Sequence, residues 1–169
     1  MTDLLLRRSC VAVATGFYIS YIPARIAARL FTTSGMRWTG SGFIGTLLGW
    51  ITLPLLPEAP FACLLTLALG IIGASWIAGI AETELGRHDD SRIVIDEVLG
   101  YWMAVALLPR RLPLLLAGLL CFRLLDVAKP PPCGRLGRLP GGYGIVMDDI
   151  GAGVLANLLL RAAGSWLPL

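Results

Sequence analysis

One stretch of this chain limits its possible folds more than any other: residues 61–81 contain no charged side chain. As an α-helix these 21 positions would extend about 31 Å, since each residue adds about 1.5 Å, and the hydrocarbon layer of a bilayer is roughly 30 Å thick. The whole chain of 169 residues is 56% hydrophobic and 15% charged, with a mean hydropathy of +0.76. Soluble domains carry about 25% charged residues. We therefore predict an all-α integral membrane protein, a helical bundle that forms a single domain over residues 1–169.

Four further apolar segments complete the predicted bundle, which we assign to residues 42–169. They cover residues 42–56, 98–108, 112–125 and 150–167. The second and third segments are each too short to cross a bilayer of roughly 30 Å, so either they extend through their charged flanks or they form a hairpin held within the protein. In the N-terminal segment, residues 1–41, Pro23 interrupts an apolar stretch, and Arg25 and Arg29 lie four positions apart. We predict an amphipathic interfacial helix over residues 24–37.

Basic residues predict the orientation of these helices, because cytoplasmic loops carry an excess of lysine and arginine. If the segment from residue 42 starts inside, most basic residues fall inside, in residues 1–41 and in two site loops at residues 82–97 and 126–149. Arg110 and Arg111 are the exceptions. This orientation places the acidic clusters described next on the cytoplasmic side, within reach of one another.

Nine of the eleven carboxylate side chains lie between Glu82 and Asp149. They include Asp89-Asp90 followed by Asp96-Glu97, then Asp126, then Asp148-Asp149. Charged groups beside apolar segments are costly to bury, so acids in such positions are candidates for a functional site. Apolar residues flank Asp96 and Glu97 on both sides, so at least one of the two must face inward or toward a partner. Asp89 or Ser91 is positioned to cap the following helix, and for Asp90 we expect only a solvated cap.

Carboxylates without other ligand types favour a hard cation, and Mg²⁺ prefers oxygen ligands. The chain has a single histidine, His88, and none of its four cysteines forms a C-x-x-C pair, so we do not expect a zinc site. Gly100 follows Asp96 by four residues and shares its helix face. The glycine leaves room beside that carboxylate for a ligand or for a neighbouring helix.

The sequence FRLLDVAKPPP, residues 122–132, spaces Arg123, Asp126 and Lys129 three positions apart. Two interpretations remain open. In one, Arg123 pairs with Asp126 on a shared helix face and Lys129 closes the helix before the three prolines. In the other, Asp126 binds metal while the two basic side chains hold phosphate oxygens.

The sequence GGYGIVMDDIGAG, residues 141–153, joins a glycine-rich loop to an acidic pair. Glycine lets backbone N–H groups approach an anion closely. Asp148 and Asp149 then start the last helix, in which Gly151 and Gly153 are spaced for close helix packing.

Several common functional classes lack their motifs in this sequence. There is no G-x-x-x-x-G-K-[ST] loop, no G-x-S-x-G elbow, and no cysteine with an arginine six positions later. A single histidine argues against a histidine-nucleophile phosphatase. No basic stripe indicates nucleic acid as a partner. Two other classes remain as alternatives: a cation transporter or channel subunit with carboxylates at the membrane boundary, and a scaffold subunit without activity.

Three blocks of this sequence, IVIDEVLG, FRLLDVAKPPP and GGYGIVMDDIGAG, resemble in order and spacing the signature blocks of the bacterial phosphatidylglycerophosphatase A family. The resemblance covers about residues 80–160. It implies a Mg²⁺-dependent, multi-pass enzyme of the bacterial inner membrane that converts phosphatidylglycerophosphate to phosphatidylglycerol in phospholipid biosynthesis, with its active site facing the cytoplasm. The implied metal ligands are Asp89, Asp96, Glu97, Asp148 and Asp149. The implied catalytic residues are Asp96, Glu97, Asp126 and Asp149. The implied substrate-binding residues are Arg123, Lys129 and Gly142.

The expected partners are a glycerophospholipid substrate and the bilayer, and the sequence leaves the oligomeric state open. Metal-activated water is our preferred nucleophile, although an attacking aspartate stays possible on sequence grounds. The family's Pro-Gly-Thr-x-Gly-Ser block has its best counterpart in residues 41–46, which lack the proline. We therefore assign no site residue to the N-terminal third.

Overall fold

The protein is described here from a computed structural model that covers residues 2–30, 40–87 and 90–164, and every regular element within these ranges is a helix. The all-α prediction is confirmed for this part of the chain. The helices, in chain order, are α1 (Thr2–Ala14), α2 (Tyr21–Leu30), α3 (Ser41–Thr52, continued by a 3-10 turn at Leu53–Leu55), α4 (Pro60–Leu85), α5 (Ile95–Val105), α6 (Leu112–Ala128), α7 (Pro131–Leu136) and α8 (Gly142–Gly164).

Helix α8 lies at the centre of the bundle and packs against α4, α5, α6 and α7. Its crossing with α5 is close because both helices present glycine there. A Cβ atom at Gly153 would overlap the carbonyl oxygen of Gly100, so no larger residue fits at this crossing without moving a backbone. The predicted close-packing role of Gly153 is confirmed. The crossing fixes the first turn of α5 beside the second turn of α8.

Helix α5 is held on its other sides by α6 and α3. The side chains of Tyr101 and Phe122 are fully buried in the core between these helices. The hydroxyl of Tyr101 donates a hydrogen bond to the carbonyl oxygen of Leu115 in α6 at 3.2 Å. The indole nitrogen of Trp102 donates to the carbonyl oxygen of Gly49 in α3 at 2.9 Å. Since buried polar groups without partners are costly, these bonds favour one register of α5 against its neighbours.

The two short apolar segments form a hairpin, and each helix also extends through its charged flank, since α5 begins at Ile95 and α6 continues to Ala128. Helices α5 and α6 pack against each other, and residues 106–111 connect them. The connection contains Pro109, Arg110 and Arg111, as the break in the apolar pattern predicted. The hairpin brings the start of α5 and the end of α6, which both carry predicted site residues, to the same end of the bundle.

Two helices, α4 and α8, are long and apolar enough to cross a membrane by length and composition. They differ in their surroundings, because α8 is largely enclosed by other helices while α4 is mostly exposed. Large apolar side chains are exposed along α4 from Phe61, at 80%, to Trp76, at 56%. The uncharged run at residues 61–81 therefore forms one continuous helix, as predicted, and the helix continues to Leu85.

The chain breaks near its N-terminus at a different place from the predicted one. Residues 15–20 form turns in which Gly16, Phe17 and Tyr18 have positive φ angles of 58°, 54° and 66°. Pro23, which we expected to interrupt the chain, lies in the first turn of α2. Proline is tolerated there because the first N–H groups of a helix have no intrahelical partner. Residues 31–37 of the predicted interfacial helix lie outside the described residues.

The segment at residues 126–149 is not one long loop. Helix α6 continues to Ala128, where Lys129 adopts a left-handed conformation with φ of 42° and donates its backbone N–H to Leu125 at 2.9 Å. This end before the prolines was predicted correctly. Helix α8, however, begins at Gly142, so Asp148 and Asp149 lie in its second turn and do not start it. Packing of Gly142 against α4 compensates for the low helix propensity of glycine.

The loop before α5 is also shorter than predicted, since only residues 86–94 separate α4 from α5. The helix is preceded by Val94, which has no side-chain cap and donates its own N–H to the carbonyl oxygen of Ala14 at 2.8 Å. The predicted cap at Ser91 is therefore wrong. The backbone carbonyl of Ser91 instead accepts a hydrogen bond from the hydroxyl of Ser41. The alternative cap, Asp89, lies outside the described residues.

Candidate active site

Three predicted site residues meet between α5 and α8. One carboxylate oxygen from each of Asp96, Glu97 and Asp149 lies within 4.8 Å of the other two. We call these residues the carboxylate cluster. Asp96 and Asp149 are 7% and 4% exposed, and Glu97 is partly buried. The sequence prediction that these acids belong together agrees with this geometry, which brings residues more than 50 positions apart into contact distance.

Local structure explains how three acids reach one point. Asp96 and Glu97 lie in the first turn of α5, where the positive end of the helix dipole favours negative charge. Asp149 reaches them from α8 because α5 and α8 cross closely at Gly100. A Cβ at Gly100 would lie 2.5 Å from the ring of Phe122 and 3.0 Å from the backbone oxygen of Asp149. Neighbouring helices, rather than a ligand, therefore occupy the room beside Gly100.

Two buried oxygens of the carboxylate cluster, Glu97 Oε2 and Asp149 Oδ2, lack hydrogen-bond partners in the described residues. A buried polar atom without a partner costs roughly 1–3 kcal/mol, and more when it is charged, and neighbouring carboxylates repel one another. A divalent cation would satisfy these oxygens and remove the repulsion. The all-oxygen ligand set fits Mg²⁺ in particular, which binds through a few carboxylates and retains water.

Arg123 and Asp126 form an ion pair beside this cluster. The Arg123 Nη1 atom donates to Asp126 Oδ2 at 2.7 Å, and the two side chains are 15% and 14% exposed. This contact confirms the first of the two sequence interpretations, a pair at i and i+3 on α6. It does not exclude the second, because Nη1 uses only part of a guanidinium group that carries five donors.

The beginning of α3 also reaches the site, which the sequence analysis did not predict. A Cβ atom at Gly42 would lie 2.5 Å from Glu97 Oε1, 2.8 Å from Arg123 Nη2 and 2.9 Å from Arg123 Nη1. A Cβ at Gly45, one turn later, would lie 2.9 Å from the Cβ of Glu97. Residues 41–45 thus form one wall of the site. The available signal was the counterpart of a family sequence block at residues 41–46, which we set aside.

Lys129 and Asp148 form a second group beside the carboxylate cluster. The Lys129 Nζ atom lies 2.5 Å from Asp148 Oδ2. Asp148 is not one of the three acids of the carboxylate cluster. Both residues line a cavity of about 150 Å³ between α7 and the start of α8. We call it the basic cavity, and its lining residues are Lys129, Gly134, Gly137, Arg138, Gly144, Ile145 and Asp148.

Gly142 has a packing contact that the sequence analysis did not anticipate. A Cβ atom there would overlap the carbonyl oxygen of Ser75 and the backbone nitrogen of Gly79, both in α4. The glycine therefore allows α8 to approach α4, and its predicted contact with substrate stays a prediction. Asp89, a predicted metal ligand, lies outside the described residues.

Asp90 is not the solvated helix cap that we expected. It is 5% exposed and accepts three hydrogen bonds from Arg92, from the backbone nitrogen at 3.0 Å, from Nε at 2.8 Å and from Nη2 at 2.7 Å. Burial opposes the charged form of Asp90, but the hydrogen bonds and charge of Arg92 outweigh it and hold the pKa below its ordinary value. The pair stabilises the loop that leads into α5.

A family model and several known proteins match most of this chain. The family model described as Phosphatidylglycerophosphatase A matches residues 12–164, which include α3 and therefore the wall formed by residues 41–45. A phosphatidylglycerophosphatase A of Escherichia coli is 33% identical over 80% of this chain and 81% of its own length. The protein of that name in Haemophilus influenzae is 31% identical over 76% of this chain and 79% of its own length.

A third relative, from Bacteroides thetaiotaomicron, is named a putative phosphatidylinositol-3-phosphatase and is 33% identical over 85% of this chain and 94% of its own length. No solved structure matches the chain. The extent of the family match and the identities to these relatives lead to one conclusion: the chain belongs to the phosphatidylglycerophosphatase A family, whose members are phosphoric monoester hydrolases.

Proposed function

We propose that this protein is a Mg²⁺-dependent phosphatase that hydrolyses the terminal phosphomonoester of phosphatidylglycerophosphate, releasing phosphatidylglycerol and inorganic phosphate. The observation that carries the proposal is the carboxylate cluster beside Arg123, a buried all-oxygen ligand set next to a phosphate-binding side chain. Family membership and the names of two relatives support the substrate. A cation transporter would also need a carboxylate cluster, but it does not account for the family membership, and an inactive scaffold accounts for neither observation.

In this proposal Asp96, Glu97 and Asp149 hold the cation. Bound there, Mg²⁺ would supply positive charge that polarises the phosphoryl group toward attack by water. Asp126 is the remaining predicted catalytic acid, and it lies close enough to Asp149 to interact with it electrostatically. The proposal keeps Asp89 and Asp148 as predicted outer members of the metal site.

Arg123 is proposed to bind the phosphate that is hydrolysed. Its guanidinium group is held by Asp126 on one side and by the start of α3 on the other, so few of its conformations remain accessible. A planar guanidinium donates two parallel hydrogen bonds to phosphate oxygens, which lysine cannot do. Charge that develops on the phosphate during hydrolysis would be stabilised by a donor already in position.

A membrane location is supported by the exposed face of α4. A continuous row of large exposed apolar side chains is unusual on a soluble surface and is stable against lipid. The site residues lie near helix ends, in the first turn of α5, the last two turns of α6 and the second turn of α8. These positions suit a site at the membrane boundary, where a lipid headgroup is available. The basic-residue pattern favours the cytoplasmic face of the bacterial inner membrane.

A second candidate substrate follows from the name of the Bacteroides relative. Phosphatidylinositol 3-phosphate shares two features with phosphatidylglycerophosphate: a phosphomonoester on a polyol, and a phosphodiester that links the polyol to diacylglycerol. The two lipids differ in the polyol. In the proposed function the carboxylate cluster and Arg123 contact only the phosphomonoester, so they do not discriminate between the two lipids.

The test is phosphate release by the purified full-length protein in detergent–lipid micelles with Mg²⁺, using each lipid in turn. We expect release from phosphatidylglycerophosphate at a higher kcat/KM than from phosphatidylinositol 3-phosphate. Asp149→Asn, which keeps the shape of the side chain, serves as the inactive control. Equal or greater activity on the inositol lipid would refute phosphatidylglycerophosphate as the preferred substrate. No phosphate release from either lipid would refute the proposed function.

A further inference from the structure

We propose that the basic cavity binds the phosphodiester group of the lipid substrate, and that Arg138 is the side chain that recognises it. This inference rests on the proposed function, since it concerns a second phosphate of the same substrate. It adds to the site a residue that the sequence analysis did not single out, and it assigns the cavity a ligand class, a phosphodiester joined to a short polyol.

The shape of the cavity suits a small anionic group. Its volume is about 150 Å³, whereas one water molecule needs roughly 10–15 Å³ of comparable space. Three of its seven lining residues are glycines: Gly134, Gly137 and Gly144. Without side chains at these positions, the backbone itself forms much of the wall, and backbone at such walls lets a phosphate approach closely.

The charges in the cavity favour an anion. Two cations, Lys129 and Arg138, line it together with a single carboxylate, Asp148. Lys129 already contacts Asp148 at 2.5 Å. Arg138 is exposed, and among the residues that the structure describes it forms no ion pair. An entering phosphodiester can therefore accept hydrogen bonds from Arg138 without breaking the Lys129–Asp148 contact.

The position of the cavity relative to the carboxylate cluster matches a substrate with two phosphates. Asp148 lines the cavity and Asp149 belongs to the cluster. Successive residues of an α-helix project about 100° apart, at 3.6 residues per turn. The cavity and the cluster therefore lie on adjacent sides of the same turn of α8. A lipid whose monoester lies at the cluster would direct the rest of its headgroup along this turn.

The proposal predicts which substrates Arg138 affects. Phosphatidylglycerophosphate carries both a monoester and a diester, whereas glycerol 3-phosphate carries the monoester alone. Only the first can use the basic cavity. The measurable quantity is the selectivity ratio, which is kcat/KM for phosphatidylglycerophosphate divided by kcat/KM for glycerol 3-phosphate.

The experiment compares Arg138→Gln with Arg135→Gln in the full-length protein. Arg135 is an exposed arginine of α7 that does not line the cavity, so its variant removes the same charge nearby and serves as the control. We expect Arg138→Gln to lower the selectivity ratio at least tenfold, mainly through KM, because a hydrogen bond to a charged group is worth about a factor of ten or more. Arg135→Gln should keep the ratio within twofold of wild type.

A second measurement does not depend on catalysis. Glycerophosphoglycerol, a soluble phosphodiester without a monoester, should bind the wild-type protein in isothermal titration calorimetry and bind Arg138→Gln at least tenfold more weakly. If wild type fails to hydrolyse phosphatidylglycerophosphate, the proposed function fails while this binding assay still tests the cavity. An unchanged selectivity ratio, equal losses in the two variants, or no binding of glycerophosphoglycerol to wild type would each overturn the inference.

Discussion

The sharpest prediction concerns Gly42. One added methyl group there should lower the activity of the enzyme without lowering the stability of its fold. In Gly42→Ala the new Cβ would lie 2.5 Å from Glu97 Oε1 and 2.8 Å from Arg123 Nη2. Real Cβ atoms essentially never approach other atoms closer than 3.0 Å, so the Glu97 carboxylate must retreat by about 0.5 Å at least, and the Arg123 guanidinium must move as well. The contacted atoms are the ends of long side chains, so they can shift without moving the backbone, although the Arg123 guanidinium must then change its contact with Asp126.

The expected loss of activity is large for so small a change. A misplacement of about 1 Å in a catalytic group can cost roughly 10²-fold in rate, and here a proposed metal ligand and the proposed phosphate-binding arginine shift together. We expect kcat/KM for phosphatidylglycerophosphate to fall between about 10-fold and 100-fold. Stability should not fall, because alanine is favoured over glycine within a helix by about 0.8–1 kcal/mol, which offsets the cost of moving two flexible side-chain ends.

The matched control is Gly73→Ala in α4, where a Cβ atom would have no neighbour within 4 Å. It makes the same chemical change within a helix but away from the site, so it should leave phosphate release unchanged. The assay is phosphate release and thermal unfolding on both variants in one detergent. Wild-type activity in Gly42→Ala would refute the assignment of α3 to the site, and a loss of activity that merely follows a lower melting temperature would refute the proposed mechanism of the loss.

The remaining predictions concern the charged residues. Asp96→Asn and Glu97→Gln should each lower turnover by about 10²-fold or more without lowering the melting temperature, measured by phosphate release and thermal unfolding. Mg²⁺ should raise the melting temperature of wild type, because a ligand of the folded state stabilises it, and it should not do so for Asp149→Asn. Arg123→Lys should lose most activity, since lysine cannot replace two-point donation; a mild effect would return Arg123 to a purely structural role. Asp90→Asn should lower stability more than specific activity. The pKa of Asp90 is below its ordinary value of 3.8, so its contribution to stability is complete above that pH and is lost as the pH falls through the folded-state value. The difference in stability between the two proteins should stay constant from pH 7 down to that ordinary value and narrow only at lower pH.

The sequence correctly predicted those structural features that depend on residues close together in the chain. The uncharged run at residues 61–81 predicted α4, and the three prolines after Lys129 predicted the end of α6. The sequence also predicted, from the orientation of the helices, that the acidic clusters lie within reach of one another. The family resemblance implied five metal ligands, and three of these, Asp96, Glu97 and Asp149, meet in the structure.

Features that depend on packing between distant segments were not predicted. Gly142 begins α8 despite the low helix propensity of glycine, because it packs against α4. Pro23 is a different case, since the free N–H groups of the first turn of α2 tolerate it by a local rule. The approach of Gly42 to Glu97 and the pairing of Asp148 with Lys129 join residues far apart in the chain. No local periodicity in the sequence encodes such contacts, so they become visible only in the folded structure.

The central claim is that Asp96, Glu97 and Asp149 bind the Mg²⁺ that hydrolysis requires. The most direct test is the rate of phosphate release from phosphatidylglycerophosphate as a function of Mg²⁺ concentration, for wild type and Asp149→Asn after removal of metal with EDTA. The account predicts no release by wild type without Mg²⁺, a saturable recovery as Mg²⁺ is restored, and little recovery by Asp149→Asn at the concentrations that saturate wild type. Full turnover by wild type in excess EDTA, or a wild-type response to Mg²⁺ in Asp149→Asn, would contradict it.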